Sequence, residues 1–287
     1  MLMILLGAAS VLAVFFLFVM AVDCNRFTIR EYHCSDKRLK KDMKIVLLSD
    51  LHNKSFGKDN GKLIAAIDRI HPDLVLIAGD MYTALRHPET KTAQKLIEDL
   101  AVRYPVYYGN GNHEHKTSLY PEEYGNVYRD YAEYLKSLKV RHLVNQKVSL
   151  TKLGLAIYGL GPDRAYYQKF KKKEMDGTYL NKLLGKPDAS EFSVLIAHNP
   201  DYFEEYAAWG ADLVVSGHVH GGLMRLPVLG GVISPAMRLF PKYDGGIFKE
   251  GGSVMILSRG LGTHTLPIRI FNPGELVVIG LHPRDKG

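Results

Sequence analysis

Cysteine is scarce in this chain: there are two in 287 residues, Cys24 and Cys34, both within the first 34 positions. A disulfide framework is therefore excluded for the body of the protein. Both thiols read as free cysteines in a short linker. Cys24, beside an apolar segment, also stands where acylation occurs, and Asp23 in front of it argues against a lipoprotein cleavage site. No charge of either sign occurs before Asp23, so the formal net charge of +7 rests entirely on residues 23–287. No internal repeat is present, and no linker inside residues 44–287 is long enough to divide them, which leaves one domain as the economical reading. Disordered and collagen-like classes are excluded as well, because 46% of the residues are hydrophobic and 23% charged.

What is present begins with residues 1–22, an apolar run broken only by Gly7 and Ser10. As a helix it reaches about 33 Å, enough for a hydrocarbon core of about 30 Å. It lacks the basic start of a secretory signal and is longer than a signal's apolar core. It therefore reads as one N-terminal transmembrane helix, a signal anchor, with cleavage after Val19-Met20-Ala21 as the alternative. Residues 23–43 then form a juxtamembrane basic linker and 44–287 the folded domain. Between Asp23 and Lys44 seven Lys/Arg stand against four acids. Basic flanks stay on the cytoplasmic side, which places the body at the cell membrane, facing the cytoplasm.

From Lys44 short apolar runs alternate with amphipathic stretches, the pattern of α/β layering. The spacing predicts strands at 44–49, 73–78, 105–108, 153–158, 192–197, 212–216, 253–257, 268–271 and 276–279, and helices at 60–70, 90–103 and 121–139. Five of these strands end in polar clusters: Asp50-Leu-His52, Gly79-Asp80, Gly111-Asn112-His113-Glu114, His198-Asn199 and Gly217-His218-Val-His220. In open α/β sheets the carboxyl ends of strands are where ligands bind, so distant loops converge there. Carboxylate, imidazole and amide oxygen together suit divalent transition metals. Taken singly, Asp-x-His and Gly-Asp are as readily turns, and His198 a satisfied core histidine.

In their order these five clusters resemble the signature of the calcineurin-like metallophosphoesterases, over most of residues 44–222. The resemblance implies a layered β-sandwich flanked by helices (αββα). Further along, Arg225-Leu-Pro227, Phe240-Pro-Lys-Tyr-Asp-Gly245, Ser258-Arg-Gly-Leu-Gly262 and Pro267-Ile-Arg269 are similar to elements of a membrane-associated bacterial phosphodiesterase subfamily. Leu223, where that subfamily usually has Gln, and Asn53-Lys-Ser-Phe56 ahead of Gly57 depart from it at the rim of the site. Carried over residue by residue, the resemblance implies two divalent metal ions bridged by Asp80. Asp50, His52 and His220 would hold one, and Asn112, His198 and His218 the other. His113 is implied as the catalytic group, donating a hydrogen bond to the phosphoryl and protonating the leaving oxygen. Mixed N/O ligands leave the metal open among Mn, Fe, Zn, Co and Ni. Two such ions against two carboxylates keep the cluster positive, attract phosphate and generate hydroxide from water.

His115 reads either as a substrate contact or as a structural loop residue, and His264 as a pocket residue or a turn cap. His71 and His87 precede prolines and read as turns; Tyr104, Tyr107 and Tyr108 read as core. Tyr166-Tyr-Gln-Lys-Phe-Lys-Lys-Lys173 is basic with interleaved aromatics, suited to a nucleic acid, an anionic membrane or a solvated surface. The apolar leader favours the membrane over nucleic acid as partner. Leu223–Phe248, with Arg225, Arg238 and Lys242 among apolar residues, reads as an acyl-chain groove beside a phosphate clamp or as a hairpin packed on the core. The expected protein is thus a membrane-anchored binuclear-metal phosphoesterase that opens a phosphodiester or diphosphate bond by metal-activated hydroxide. Its expected substrate is a phosphorylated small molecule or lipid, either lipid-linked or nucleotide-containing. Relatives by resemblance include enzymes that cleave the UDP-diacylglucosamine diphosphate bond. A nucleic-acid phosphodiesterase and a membrane-tethered scaffold are the alternatives, and the completeness of all eight positions argues against the scaffold.

Overall fold

The computed structural model describes residues 1–168, 172–226, 228–233, 239–263 and 267–284. Helix α1 (Leu2–Asp23) is apolar along its length and mostly exposed until Asp23, which is buried. It is long and apolar enough to cross a membrane. Behind it run strands β1 (Phe27–Asp36), β2 (Met43–Leu48), β3 (Leu74–Ala78), β4 (Val106–Gly109), β5 (Arg141–Leu143), β6 (Gln146–Leu150), β7 (Leu155–Gly159), β8 (Phe192–Ile196) and β9 (Leu213–Ser216). The two-residue strands β10 (Arg225–Leu226) and β11 (Gly230–Gly231) form a hairpin, followed by β12 (Gly246–Glu250), β13 (Ser253–Leu257) and β14 (Gly274–Pro283). Helices α2 (Gly61–Ile70), α3 (Lys91–Ala101), α4 (Asn112–Leu119), α5 (Pro121–Tyr124), α6 (Val127–Ser137), α7 (Tyr179–Leu184) and α8 (Phe203–Trp209) lie between them.

Two six-stranded sheets result, in the orders β1-β14-β2-β3-β4-β5 and β12-β13-β9-β8-β7-β6. Alternate side chains along a strand point to opposite faces. Ile45, Leu47, Leu74 and Leu76 of one sheet therefore meet Val194, Ile196, Leu213 and Val215 of the other in a shared core. The intervening Val46, Leu48, Val75 and Ile77 turn outward onto Leu63, Ile67, Leu96, Ile97 and Leu135 of α2, α3 and α6. On the far side Tyr158, Leu195 and Val214 pack on Leu180, Phe203, Tyr206 and Trp209 of α7 and α8. Strands covered on both faces read as unbroken apolar runs, which is why β2, β3, β8 and β9 are visible in the sequence. The fold is a mixed α/β sandwich with helices on both outer faces.

Several local expectations change. The stretch 23–43, read as a linker, carries the ten-residue edge strand β1, paired in parallel with β14 from Phe27–Gly274 to Asp36–Pro283. An edge strand with one solvated face has no apolar run to announce it. Among the described residues the run 268–271 makes a single bridge, Met224 to Ile270, because Pro267 and Pro273 flank it and Phe271 turns to φ 54°. The helix expected over 121–139 breaks at Gly125, φ 65°, into α5 and α6. The Leu223–Phe248 stretch divides: Tyr243 and Phe248 pack on the core beside α8, while Val228 and Leu229 at the tip of the β10–β11 hairpin are exposed.

Candidate metal centre

Strands β2, β3 and β4 of one sheet and β8 and β9 of the other finish at a common edge, where their following loops meet. Asp80 Oδ2 lies 3.1 Å from His198 Nε2, and Asp50 Oδ1 lies 3.3 Å from His220 Nε2 and 3.8 Å from His198 Nε2. His52 Nε2 is 3.2 Å from His220 Nε2 and 3.9 Å from Asp80 Oδ2, and His113 Nε2 is 4.0 Å from the same oxygen. Three overlapping sets bring their donor atoms within 4.8 Å of one another: Asp50, His52 and His220; His52, Asp80 and His113; Asp80, His198 and His218. Each set could hold a metal ion. Asn112 opens α4 beside them, with its Oδ1 buried.

The backbone that presents these groups is strained. Asp50, His52, Asp80, His218 and His220 have φ of 51°, 46°, 55°, 76° and 52°. Non-glycine residues in that region cost on the order of 1–3 kcal/mol each and gather at functional sites. Two glycines make room for the carboxylates: a Cβ on Gly111 would overlap the Asp80 carboxylate, and one on Gly217 would overlap Ser49 Oγ and the Asp50 carboxylate. Ser49 Oγ and the His218 N–H both donate to Asp50, and the His113 N–H donates to Asp80 at 2.8 Å.

The residues present fit a divalent cation. Asn112 Oδ1 is a buried oxygen with no hydrogen-bond partner, and Asp80 Oδ2 is buried with only the imidazole nitrogens of His52, His113 and His198 about it, a set that a cation completes. His198 Nδ1 bonds the Ala78 carbonyl at 2.5 Å, which fixes the ring and turns Nε2 toward Asp80, the usual outer support of a ligating histidine. The cluster also draws positive charge. Burial alone would lower the His198 imidazolium, yet the Asp80 and Asp50 carboxylates carry it up to about 10. Burial pushes Asp50 up to about 6, while Asp80 stays well below the ordinary carboxylate range because the His198 and His113 imidazoles outweigh its burial.

His113 is held differently from the others. Its Nδ1 accepts the Ala84 N–H at 2.9 Å, so in the neutral ring the proton is on Nε2. It borders a cavity of about 470 Å³ whose wall includes Asn112, His115, Lys116, Arg164 and Tyr167. The His115 ring, 6.0 Å from that of Tyr167, thus lines the cavity, and its burial lowers its pKa.

Four supporting residues escaped the sequence reading. Glu114, fully buried, accepts the Asp80 and Met81 N–H groups at 2.9 Å, the Gly111 N–H at 3.0 Å and the Tyr108 hydroxyl at 2.6 Å, tying the loop after β3 to the start of α4. Its place in the Gly111–Glu114 motif was the available signal. Tyr167 lies with its ring 5.9 Å from His218 and 6.4 Å from His198. Asn272 Nδ2 donates to the His220 and Gly222 carbonyls. Arg269, 2% exposed, donates to the Arg259, Gly260 and Gly262 carbonyls, and Gly262 N in turn donates to Asp50 O. Tyr167 and Arg269 fall in stretches the sequence marked, but with no support of the cluster assigned to them, and Asn272 falls in none.

Four of the remaining histidines, His33, His71, His142 and His282, have structural settings. Burial lowers His142 to about 4 as it bonds Asn110 Oδ1, His33 meets His282 across β1 and β14, and His71 ends α2 in a left-handed turn. Tyr107 and Tyr108 are core, as expected. Tyr166 is buried against Tyr179 and Tyr202, and Lys172 and Lys173 lie over Tyr202 and Tyr166, so these members of the basic stretch are engaged with the body. Lys169, Phe170, Lys171, Pro227, Met237, Arg238 and His264 lie outside the described residues.

Fold and site together define a class: an α/β sandwich whose strand ends carry an Asp/His cluster fit for divalent metal. The chain belongs to the calcineurin-like phosphoesterase family, whose profile matches residues 43–222. It is 30% identical to an uncharacterized metallophosphoesterase of Campylobacter jejuni, over 85% of this chain and 60% of that one. It is 26% identical to one of Aquifex aeolicus, over 99% and 98%. A transmembrane protein with metallophosphoesterase domain from Danio rerio is 24% identical over 83% of this chain and 53% of its own. The chain spans about three fifths of the length of the Campylobacter protein and of two Helicobacter pylori relatives.

Proposed function

We propose that the chain is a membrane-anchored, metal-dependent phosphoesterase that hydrolyses a phosphodiester or diphosphate bond of a lipid-linked or nucleotide-containing substrate. The observation that carries this reading is the meeting of the buried Asp80 Oδ2 and Asn112 Oδ1 with imidazoles at one sheet edge, beside a cavity that His113 borders. Asp50, His52 and His220 would hold one ion, Asn112, His198 and His218 a second, and Asp80 both. Such ions supply a nucleophilic hydroxide at neutral pH and neutralise charge on the phosphoryl group. His113 Nε2–H, kept in that tautomer by Ala84, donates to the phosphoryl and then to the leaving oxygen. Lys116 and Arg164 line the cavity as cations for further negative charge on the substrate, and the Tyr167 ring lies beside the His198 and His218 imidazoles.

Anchoring rests on α1, supported by the relative from Danio rerio that is described as transmembrane. The excess of Lys/Arg between residues 23 and 44 supports a cytoplasmic body behind it. The test is hydrolysis of bis-p-nitrophenyl phosphate by the full chain in detergent with manganese, followed by product analysis on total lipid extract and a nucleotide panel. Metal-dependent turnover, with release of a lipid phosphate or a nucleotide monophosphate, is the expected result. A fully metallated chain that turns over none of these substrates overturns the reading.

A further inference from the structure

One end of the body leaves apolar side chains to solvent: Leu226, Val228 and Leu229 around the β10–β11 hairpin, then Leu239, Phe240 and Phe271. Val228 is fully exposed, and Val228, Phe240 and Phe271 have φ of 69°, 45° and 54°. Turns that face water place Gly or Asn at such angles, not bulky apolar residues. These residues form one connected unit, because Leu223 N donates to Ile233 O, Arg225 N to Ile270 O and Ile270 N back to Leu223 O.

That unit is continuous with α1. The Phe271 ring lies 6.4 Å from Phe15 and 6.2 Å from Phe16, about 10 to 12 Å along the helix from Asp23 at 1.5 Å per residue. If α1 spans a bilayer, Phe271 is level with an apolar part of it. Below that contact the Asp23 carboxylate accepts the Asn272 N–H and the Arg26 guanidinium, which fixes the helix end against the same loop. Next to it a cleft of about 520 Å³ is lined by Arg26, Phe27, Phe56, Lys62 and Arg69 and, among the described residues, by no carboxylate. Apolar tips around a helix end, with a basic cleft at the same level, match the layering of acyl chains and anionic headgroups.

We propose that this end of the body docks on the bilayer itself, with Val228, Leu229, Phe240 and Phe271 in the interface and Lys62 and Arg69 on anionic lipid headgroups. The inference rests on the membrane-anchor reading of α1 and adds a second, independent attachment. It also places the metal cluster. Asn272 bonds both Asp23 and the carbonyl of His220, so the donors on that side are tied directly to the docked face. A phosphorylated amphiphile then reaches the cluster with its apolar part still in the bilayer, which defines the substrate class the position favours.

The test uses the full chain in nanodiscs of phosphatidylcholine and phosphatidylglycerol with acyl chains brominated both near the headgroup end and near the methyl end. Native Trp209, 7% exposed, provides the baseline emission. A tryptophan is added at one site per variant, Leu12→Trp within α1 and Val228→Trp on the hairpin. Both added tryptophans should lose about half of their emission or more, as expected for groups at acyl depth. Quenching at Leu12→Trp with none at Val228→Trp overturns the docking face and leaves the anchor standing. Absence of quenching at both overturns the anchor and the docking together. Lys62→Gln with Arg69→Gln should reduce Val228→Trp quenching in the anionic discs, and unchanged quenching overturns the headgroup assignment.

Discussion

Glu114 supports the site without contacting the cluster's donor atoms, and its loss has a size that the structure sets. Each carboxylate oxygen accepts two buried donors, Oε1 from Met81 N and Tyr108 Oη, Oε2 from Asp80 N and Gly111 N. Glu114→Ala strands all four. At about 1–3 kcal/mol for each unsatisfied buried group, the low end already gives about 4 kcal/mol. For a domain of this size about 1 kcal/mol moves Tm by roughly 2–4 °C, so a fall of about 8–16 °C is expected. Glu114→Gln replaces one oxygen by an NH2 that faces two donors, so about half of that fall is expected. Because Asp80 and Gly111 are held by the same carboxylate, bound metal should weaken by about 10- to 100-fold in the glutamine variant, the usual cost of losing an outer support. Thermal unfolding followed by circular dichroism, with metal content by mass spectrometry, checks both quantities. An alanine variant melting within about 3 °C of the parent would refute the clamp, since about one unsatisfied donor at most, not four, would then be accounted for.

Three further outcomes rest on the same geometry. His113→Ala should retain its bound metal and lose about 10²- to 10⁴-fold in turnover; metal loss in that variant would show that His113 is a ligand. Asp80→Asn should lose metal from both sides of the cluster, and two ions per chain at equilibrium in that variant would exclude a bridge. Arg38 links Asp36 at the end of β1 to Asp212 before β9, and its hydrogen bonds hold the Asp36 carboxyl below the usual range. A lowered folded-state value means stability that is present above the unfolded value of about 3.9 and lost as pH falls through the folded one. The Tm deficit of Arg38→Met should therefore be full at pH 6 and shrink below about pH 4; a pH-independent deficit would assign it to packing instead.

The residue types at the strand ends were legible in the chain without any coordinates. Asp50, Asp80, Asn112, His198 and His218 each follow an apolar run, and a run buried on both faces betrays its own end. The apolar helix α1 was legible too, since its length needs no partner to be read. The assembled fold was needed to show that His52 and His220, 168 residues apart, approach to 3.2 Å. It was needed to make residues 27–36 a strand, because their pairing comes from β14 at the other end of the chain. The support that Glu114, Tyr167, Asn272 and Arg269 give the cluster is of the same kind. Their roles are hydrogen bonds and ring contacts across the fold, which leave no periodic mark in the chain. The exposed tips of the 226–229 hairpin belong with these, because apolar content is visible in a sequence but the face it is given to is settled only by what packs behind it.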